Sequence, residues 1–263
     1  MVQTAAETPR QIRARIRAGG HRAPTAGLAP GYVQANLVIL PKDLAYDFLL
    51  FAQRNPRPCP LLEVTDAGSP EPAITAPGAD LRTDLPKYRA YVRGELKQEP
   101  TDLGPYWRDD LVAFLLGCSF TFEGALLNAG VPLRHVERCT NVSMYITSIA
   151  CRPAGPFAGP MVVSMRPIPA EKVTKAVQVT SRFPNAHGAP VHIGDPGQIG
   201  IRDLGRPDFG DPVEIRPGEV PVFWACGVTP QAVAMQVKPP FVITHAPGHM
   251  FVTDLRDEDL AVL

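Results

Sequence analysis

Val142-Ser143-Met144-Tyr145-Ile146-Thr147-Ser148-Ile149 is followed by Met161-Val162-Val163-Ser164-Met165 and then by Pro169-Ala170-Glu171. The first run alternates and is rich in β-formers, and the second is short and apolar, so both read as strands. Residues 152–160, with Pro and Gly, form the loop between them. Pro169 precedes a helix that should end near Thr180. This strand-strand-helix unit differs from the more helical sequence before it. The spacing therefore predicts a mixed α+β protein, with a three-layer α/β main domain over residues 1–132 and 208–263 and a smaller α+β domain inserted over residues 133–207.

Working back from the insert, residues 107–116 read as a helix with Leu111, Phe114 and Leu115 inward, ended by Gly117. A second helix over 122–128 follows and ends at Gly130. Further upstream, 37–40, 61–64 and 88–92 read as strands and 42–53 as a helix. Thr8-Pro9 is a cap and first-turn proline for a helix running to about residue 18. Arg13 and Arg17 share one face of it, four residues apart, and are expected to be solvated. Downstream, short strands are expected at 191–193, 213–215, 220–224 and 241–244.

Composition limits what the protein does. There are 263 residues with 26 basic and 26 acidic side chains, so net charge is zero and no basic field for nucleic acid or an anionic membrane is indicated over the chain as a whole. The 22 glycines and 30 prolines make up about a fifth of the chain, below the level of low-complexity disorder, and read as ordered turns. Five cysteines, odd in number and without a C-x-x-C pair, argue against a disulfide framework or zinc ribbon. A cytoplasmic protein is expected, because no apolar run is long enough to span a bilayer and no signal-peptide core opens the chain.

The unusual chemistry lies late. Three runs carry it: Thr180 to Pro196, Pro221 to Gln231, and Ile243 to Met250. Four of the six histidines fall in the first and third. Each run sets Pro and Gly beside its polar residues, which favours fixed bends lining a cleft. The expectation is that these bends fold together with Glu123, a carboxylate flanked by two aromatics, into one pocket.

Removing water from a small acid needs a cationic grip on a carboxylate, a base and an acid. Arg152, Arg166 and Arg182 are candidates for the grip, with Cys118, Ser119, Asn141 and Cys226 as further binding residues. Cys118-Ser119 lies where exposed N–H groups at a new helix start favour anions. Glu123, His187, His192, His245 and Asp195 are the candidate acids and bases. No cofactor is expected. The rival constellation is a divalent metal on His187, His192, Asp195, His245 and His249, whose spacing matches no metal signature. His21 and His135 read as loop residues bonded to the main chain. The expected partner is a small carboxylic or amino acid, with neither nucleic acid nor membrane, and a homo-oligomer is left open.

Taken together, Cys118-Ser119-Phe120-Thr121-Phe122-Glu123, Arg152-Pro153-Ala154-Gly155, the run Gly159 to Pro167, the run His187 to Pro196, Phe223 to Gln231 and Thr244 to Met250 resemble the bacterial YcsI-like hydro-lyase family. That family is related to one part of mitochondrial D-glutamate cyclase. The resemblance covers nearly the whole chain. It implies a cytosolic two-domain α/β protein and an activity that loses water, for example closing D-glutamate to 5-oxo-D-proline. It supplies no site residues, so the roles above come from the residues themselves. Two other readings compete: a metal-dependent hydrolase or lyase using the histidine-rich runs, and a non-catalytic small-acid binding protein.

Overall fold

The structure, a computed structural model, describes residues 7–262. In chain order the elements are α1 (Pro9–Arg17), β1 (Tyr32–Pro41), α2 (Lys42–Arg54), β2 (Leu61–Val64), β3 (Tyr88–Val92), β4 (Glu95–Gln98), β5 (Leu111–Leu116), α3 (Phe120–Asn128), α4 (Arg134–Glu137), β6 (Ser143–Ala150), β7 (Pro160–Pro169), α5 (Val173–Ser181), β8 (His192–Ile193), β9 (Glu219–Ala225), α6 (Val228–Val237), β10 (Val242–His245) and β11 (Phe251–Arg256). The chain is mixed α+β. Every strand pair with a defined register is antiparallel.

Two compact units are present. One takes in the chain up to Tyr46, Leu62–Leu116 and Lys238–Asp259. The other takes in Asp47–Leu61, Gly117–Val237 and the chain from Leu260 on. The expected boundaries at 132/133 and 207/208 differ from these divisions. Packing and pairing decide the units: α3 packs on α5, and β9 pairs with β7.

The first unit holds a seven-stranded sheet, ordered β2-β5-β1-β10-β3-β4, with β11 also on β1. The helix expected over 107–116 is a correction. Leu111 to Leu116 form β5, paired with β1 from Leu111↔Pro41 to Leu116↔Asn36. All six residues are buried. A six-residue apolar run has no period to separate a helix from a central strand, and burial on both faces selected the strand. The segment β3–β4 turns through Arg93 and Gly94, both at positive φ (52° and 80°), the geometry of a tight hairpin. Thr8 caps α1 in a capping box with Gln11. Arg13 is buried and forked on Asp254 at 2.9 and 2.9 Å, against the expected solvated face, whereas Arg17 is exposed as expected and is forked on Asp84 at 2.7 and 2.7 Å.

The second unit is built on a four-stranded sheet, ordered β6-β7-β9-β8. Its alternation sorts two cores. Ile168, Val222 and Trp224 pack with Phe122 and Leu126 of α3 and Ala176 of α5. Val163, Met165 and Phe223 face the other way, toward Ile199, Ile201 and Val213. Val213 is thus a core residue in an irregular segment, where a strand over 213–215 was expected; Pro212 and Pro217 flank it and lack the N–H groups a ladder needs. The helix α6 was not foreseen. Its Pro230 falls in the first turn, where no intrahelical donor is lost. Among the described residues no helix is long and apolar enough to cross a membrane.

Candidate active site

Strand alternation places Ser164 and Arg166 of β7 on the face that carries Val222 and Trp224, their β9 partners. Arg166 is fully buried. An arginine in the middle of a buried strand costs several kcal/mol of desolvation unless its charge and donors are met. Most of them are. Nη2 donates to Glu123 Oε1 at 2.5 Å and to Ser119 Oγ at 3.0 Å, and Nη1 donates to Ser164 Oγ at 3.0 Å. The guanidinium lies 5.3 Å from the Phe122 ring centroid and 5.4 Å from that of Trp224. Trp224 is itself held by its indole N–H on Thr180 Oγ1 at 3.1 Å. Nε alone of the three guanidinium nitrogens has no partner.

Glu123 Oε1 also lies 3.0 Å from His135 Nε2. Burial pushes the Glu123 carboxyl upward, but the Arg166 charge and the His135 bond outweigh it and hold the group below its ordinary value. It is therefore a carboxylate that accepts from both neighbours, and His135 donates through Nε2. The first turn of α3 brings Ser119 and Glu123 to Arg166, and α4 brings His135. Sequence reasoning set His135 aside as a loop residue. The available signal was its place shortly after an apolar helix that already held an unexplained carboxylate.

Cys118 and Cys226 are buried beside this cluster. Burial raises the Cys118 thiol to about 12, with Cys226 and Glu123 adding to the rise and Arg166 opposing it. Cys226 is raised by burial in the same way and feels the Arg166 charge. His187, which is 1% exposed, also feels Arg166. Its Nδ1–H donates to the Arg57 carbonyl at 2.7 Å, and its Nε2 is buried without a partner. Gly117 explains how the two segments come so close. A Cβ there would sit 2.1 Å from the Asn185 carbonyl oxygen.

The expected convergence of the late imidazoles is not what the structure shows. His192 packs on Phe223, the face of the sheet opposite Arg166, and donates through Nε2 to the Asp195 carbonyl at 2.7 Å. The Asp195 side chain caps a short turn by accepting from Gly197 N–H at 2.9 Å. His245 and His249 belong to the other unit, where Nδ1 of His245 takes the Leu37 N–H at 3.1 Å and Nδ1 of His249 lies 2.8 Å from the Pro247 carbonyl. Short Pro/Gly bends expose main-chain groups, and the imidazoles satisfy those. Arg152, Arg182 and Asn141 are exposed, with Arg182 donating to the Val262 carbonyl at 3.2 Å. Among the described residues no three His, Cys, Asp or Glu side chains form a group fit to hold a metal ion.

The two buried histidines give a pH signature. Burial pushes both His187 and His245 down to about 4, against 6.5 in an ordinary setting. The unfolded chain then takes up protons first as pH falls, so this stability is complete above about 6.5 and is lost toward 4. Each imidazole contributes up to about 2 kcal/mol between pH 6.5 and 5. Asp257, raised by burial to about 6, works in the opposite direction. Melting temperatures measured from pH 7.5 to 5 should fall less steeply in His187→Gln than in the unaltered chain. An identical slope in the two would contradict a neutral, buried His187.

The chain is similar in sequence to a known family and to named bacterial proteins. The sequence profile of the D-glutamate cyclase family matches residues 112–254, which take in all of Cys118, Glu123, His135, Arg166, His187 and Cys226. A protein named "Putative hydro-lyase" from Stutzerimonas stutzeri is 68% identical over 256 residues, 97% of either chain. "Putative hydro-lyase YcsI" of Bacillus subtilis is 66% identical over 97% of this chain and 99% of that one. "Putative hydro-lyase GK2103" of Geobacillus kaustophilus is 65% identical over the full length of both. Among solved structures, a nitrogen repressor-like protein from Methanococcus jannaschii covers 90% of this chain and 91% of its own, at 13% identity and a TM-score of 0.41, too weak a likeness to bear on the fold.

Proposed function

The chain belongs to the D-glutamate cyclase family, whose bacterial relatives carry the hydro-lyase name, and on that footing we propose that it is a carbon–oxygen lyase acting on a small carboxylic or amino acid at the Arg166 cluster. One observation carries the reading. A fully buried arginine in a central strand keeps one guanidinium nitrogen without a partner, beside an ionised Glu123 and a histidine. Buried ion pairs rarely serve stability as well as an apolar core would, so their retention points to use. Arg166 Nε–H is the donor for a substrate carboxylate. Glu123 holds His135 in the Nε2–H form, as a carboxylate orients a histidine that moves protons. His187 Nε2 is a neutral, unpartnered base within reach of the same charge.

The finer reading is closure of D-glutamate to 5-oxo-D-proline. The amino nitrogen attacks the distal carboxyl carbon, a C–N bond forms and a C–O bond breaks. Two ammonium protons and one carboxylate oxygen leave as water. The protein has to take a proton from nitrogen and give one to the leaving oxygen, which the His187 and His135 pair can divide between them. Incubation with D-glutamate and, separately, L-glutamate should yield 5-oxoproline from the D form, detected by chromatography. No product from either enantiomer would end the D-glutamate reading, and no water loss from a panel of hydroxy and amino acids would end the lyase reading.

A further inference from the structure

The two cysteines near Arg166 occupy matching places. Cys118 stands two residues before α3 and Cys226 two residues before α6, helices of nine and ten residues. Each sulfur takes a main-chain N–H from its own helix start, Phe120 for Cys118 and Val228 for Cys226. Pairing with β7 continues one step past β9, because Cys226 N–H donates to the Val162 carbonyl at 3.0 Å. Cys226 therefore keeps the parity of Val222 and Trp224 and points to the face that holds Arg166. Cys118 is anchored there by its neighbour, since Ser119 Oγ accepts from Arg166. The partnerless Arg166 Nε and His187 Nε2, both buried, mark where a polar ligand would be met.

We propose that Cys118 and Cys226 form a two-thiol acid–base pair that exchanges the Cα hydrogen of an α-amino acid whose carboxylate is held by Arg166. This rests on Arg166 being the carboxylate donor of the function proposed above. One sulfur, as thiolate, takes the Cα hydrogen as a proton; the C–H bond breaks and an S–H bond forms. The electron pair left on Cα spreads into the carboxylate, whose growing charge Arg166 stabilises. The other thiol returns its own proton to Cα, and its sulfur is left as the thiolate. Atoms and electrons balance, and no co-reactant is consumed. Burial raises both thiols, the helix-start N–H groups and Arg166 oppose that rise, and the thiol that becomes the base gives its proton to solvent water as the amino acid enters. The ammonium of a bound amino acid adds a further cation, which is why the class is amino acids and not acids at large.

The test is incubation of the full chain in D2O with D- and L-glutamate and D- and L-aspartate, reading Cα deuterium by NMR and 5-oxoproline in the same tubes. Deuterium should appear at Cα of at least one of the four, with label in the enantiomer opposite to the one supplied. Cys118→Ser and Cys226→Ser should each slow that exchange by about 100-fold or more, the share a positioned acid or base supplies. Cys139→Ser, at an exposed thiol, should leave it unchanged. Absence of deuterium from all four acids overturns the proposal, as does exchange at full rate in either folded cysteine variant. Should a variant fail to fold, the unaltered chain in D2O still decides. Formation of 5-oxoproline without Cα deuterium rejects the thiol pair and leaves the lyase reading standing. Cα deuterium without water loss does the reverse.

Discussion

Glu123→Gln is expected to fold and to turn over its substrate about 10²–10⁴ times more slowly than the unaltered chain, the usual range for losing a positioned acid or base. The amide keeps an oxygen that can accept from Arg166 Nη2, now at 2.5 Å from the carboxylate, so a hydrogen bond from a cation to a neutral amide replaces the ion pair. What the variant loses is the charge. His135 Nε2–H then faces a neutral amide oxygen, which holds that form less firmly than a carboxylate does, and Arg166 becomes a buried cation without its counter-charge. Removing one partner of such a pair costs about 3–5 kcal/mol when nothing replaces it, and the amide should limit the loss to less. Turnover assays with a thermal melt on the same sample check both halves. Unchanged turnover in a folded variant removes Glu123 and His135 from the site.

Gly117→Ala is expected to lower stability by about 1–3 kcal/mol or more, the range for overpacking, because the added methyl meets main chain and not a movable side chain. The ideal Cβ lies 2.1 Å from the Asn185 carbonyl oxygen, 3.2 Å from its carbon and 3.3 Å from Pro60 Cγ. None of these can swing aside alone. Asn185 is in the turn Pro184–Ala186 that ends at His187, itself at φ 77°. Gly117 N–H also donates to the Pro60 carbonyl at 2.7 Å, in the segment whose Arg57 carbonyl receives His187. Relief of the clash therefore displaces His187 along with the turn. At about 2–4 °C per kcal/mol for a chain of this size, the melting temperature should drop by several degrees. An unchanged melting temperature would show that residues 117 and 185 are not in the contact described.

Much of this was legible in the sequence, and the remainder was hidden for identifiable reasons. The strand-strand-helix run read true as β6, β7 and α5, because alternation and a Pro/Gly loop are local signals. Thr8-Pro9 gave α1 within a residue. By contrast, Leu111 to Leu116 carries no polar residue, so no period could tell helix from strand, and only the pairing with β1 settled it. The strand β4, reading Glu-Leu-Lys-Gln with all residues exposed, lacks the apolar face that marks a strand.

The site shows the same division. Glu123 was singled out as a carboxylate flanked by two aromatics, Arg166 as a carboxylate grip and Ser119, Cys118 and Cys226 as binding candidates, and all five lie in the second unit. The histidine-rich bends drew attention by residue type alone. In the structure His187, His192, His245 and His249 each bond to main chain, and His187 feels the Arg166 charge. His135 came to Glu123 through a contact twelve residues away that no spacing rule encodes.

The central claim is that Arg166 holds a substrate carboxylate, and its Nε–H resonance reports on that directly. In a nitrogen-15 labelled sample titrated with D-glutamate and with other small acids, the Arg166 Nε–H signal, assigned through its absence in Arg166→Lys, should move and become protected from solvent as the acid binds. An acid whose binding is measured by calorimetry but leaves that resonance in place would contradict the account, and so would failure of every small acid to bind.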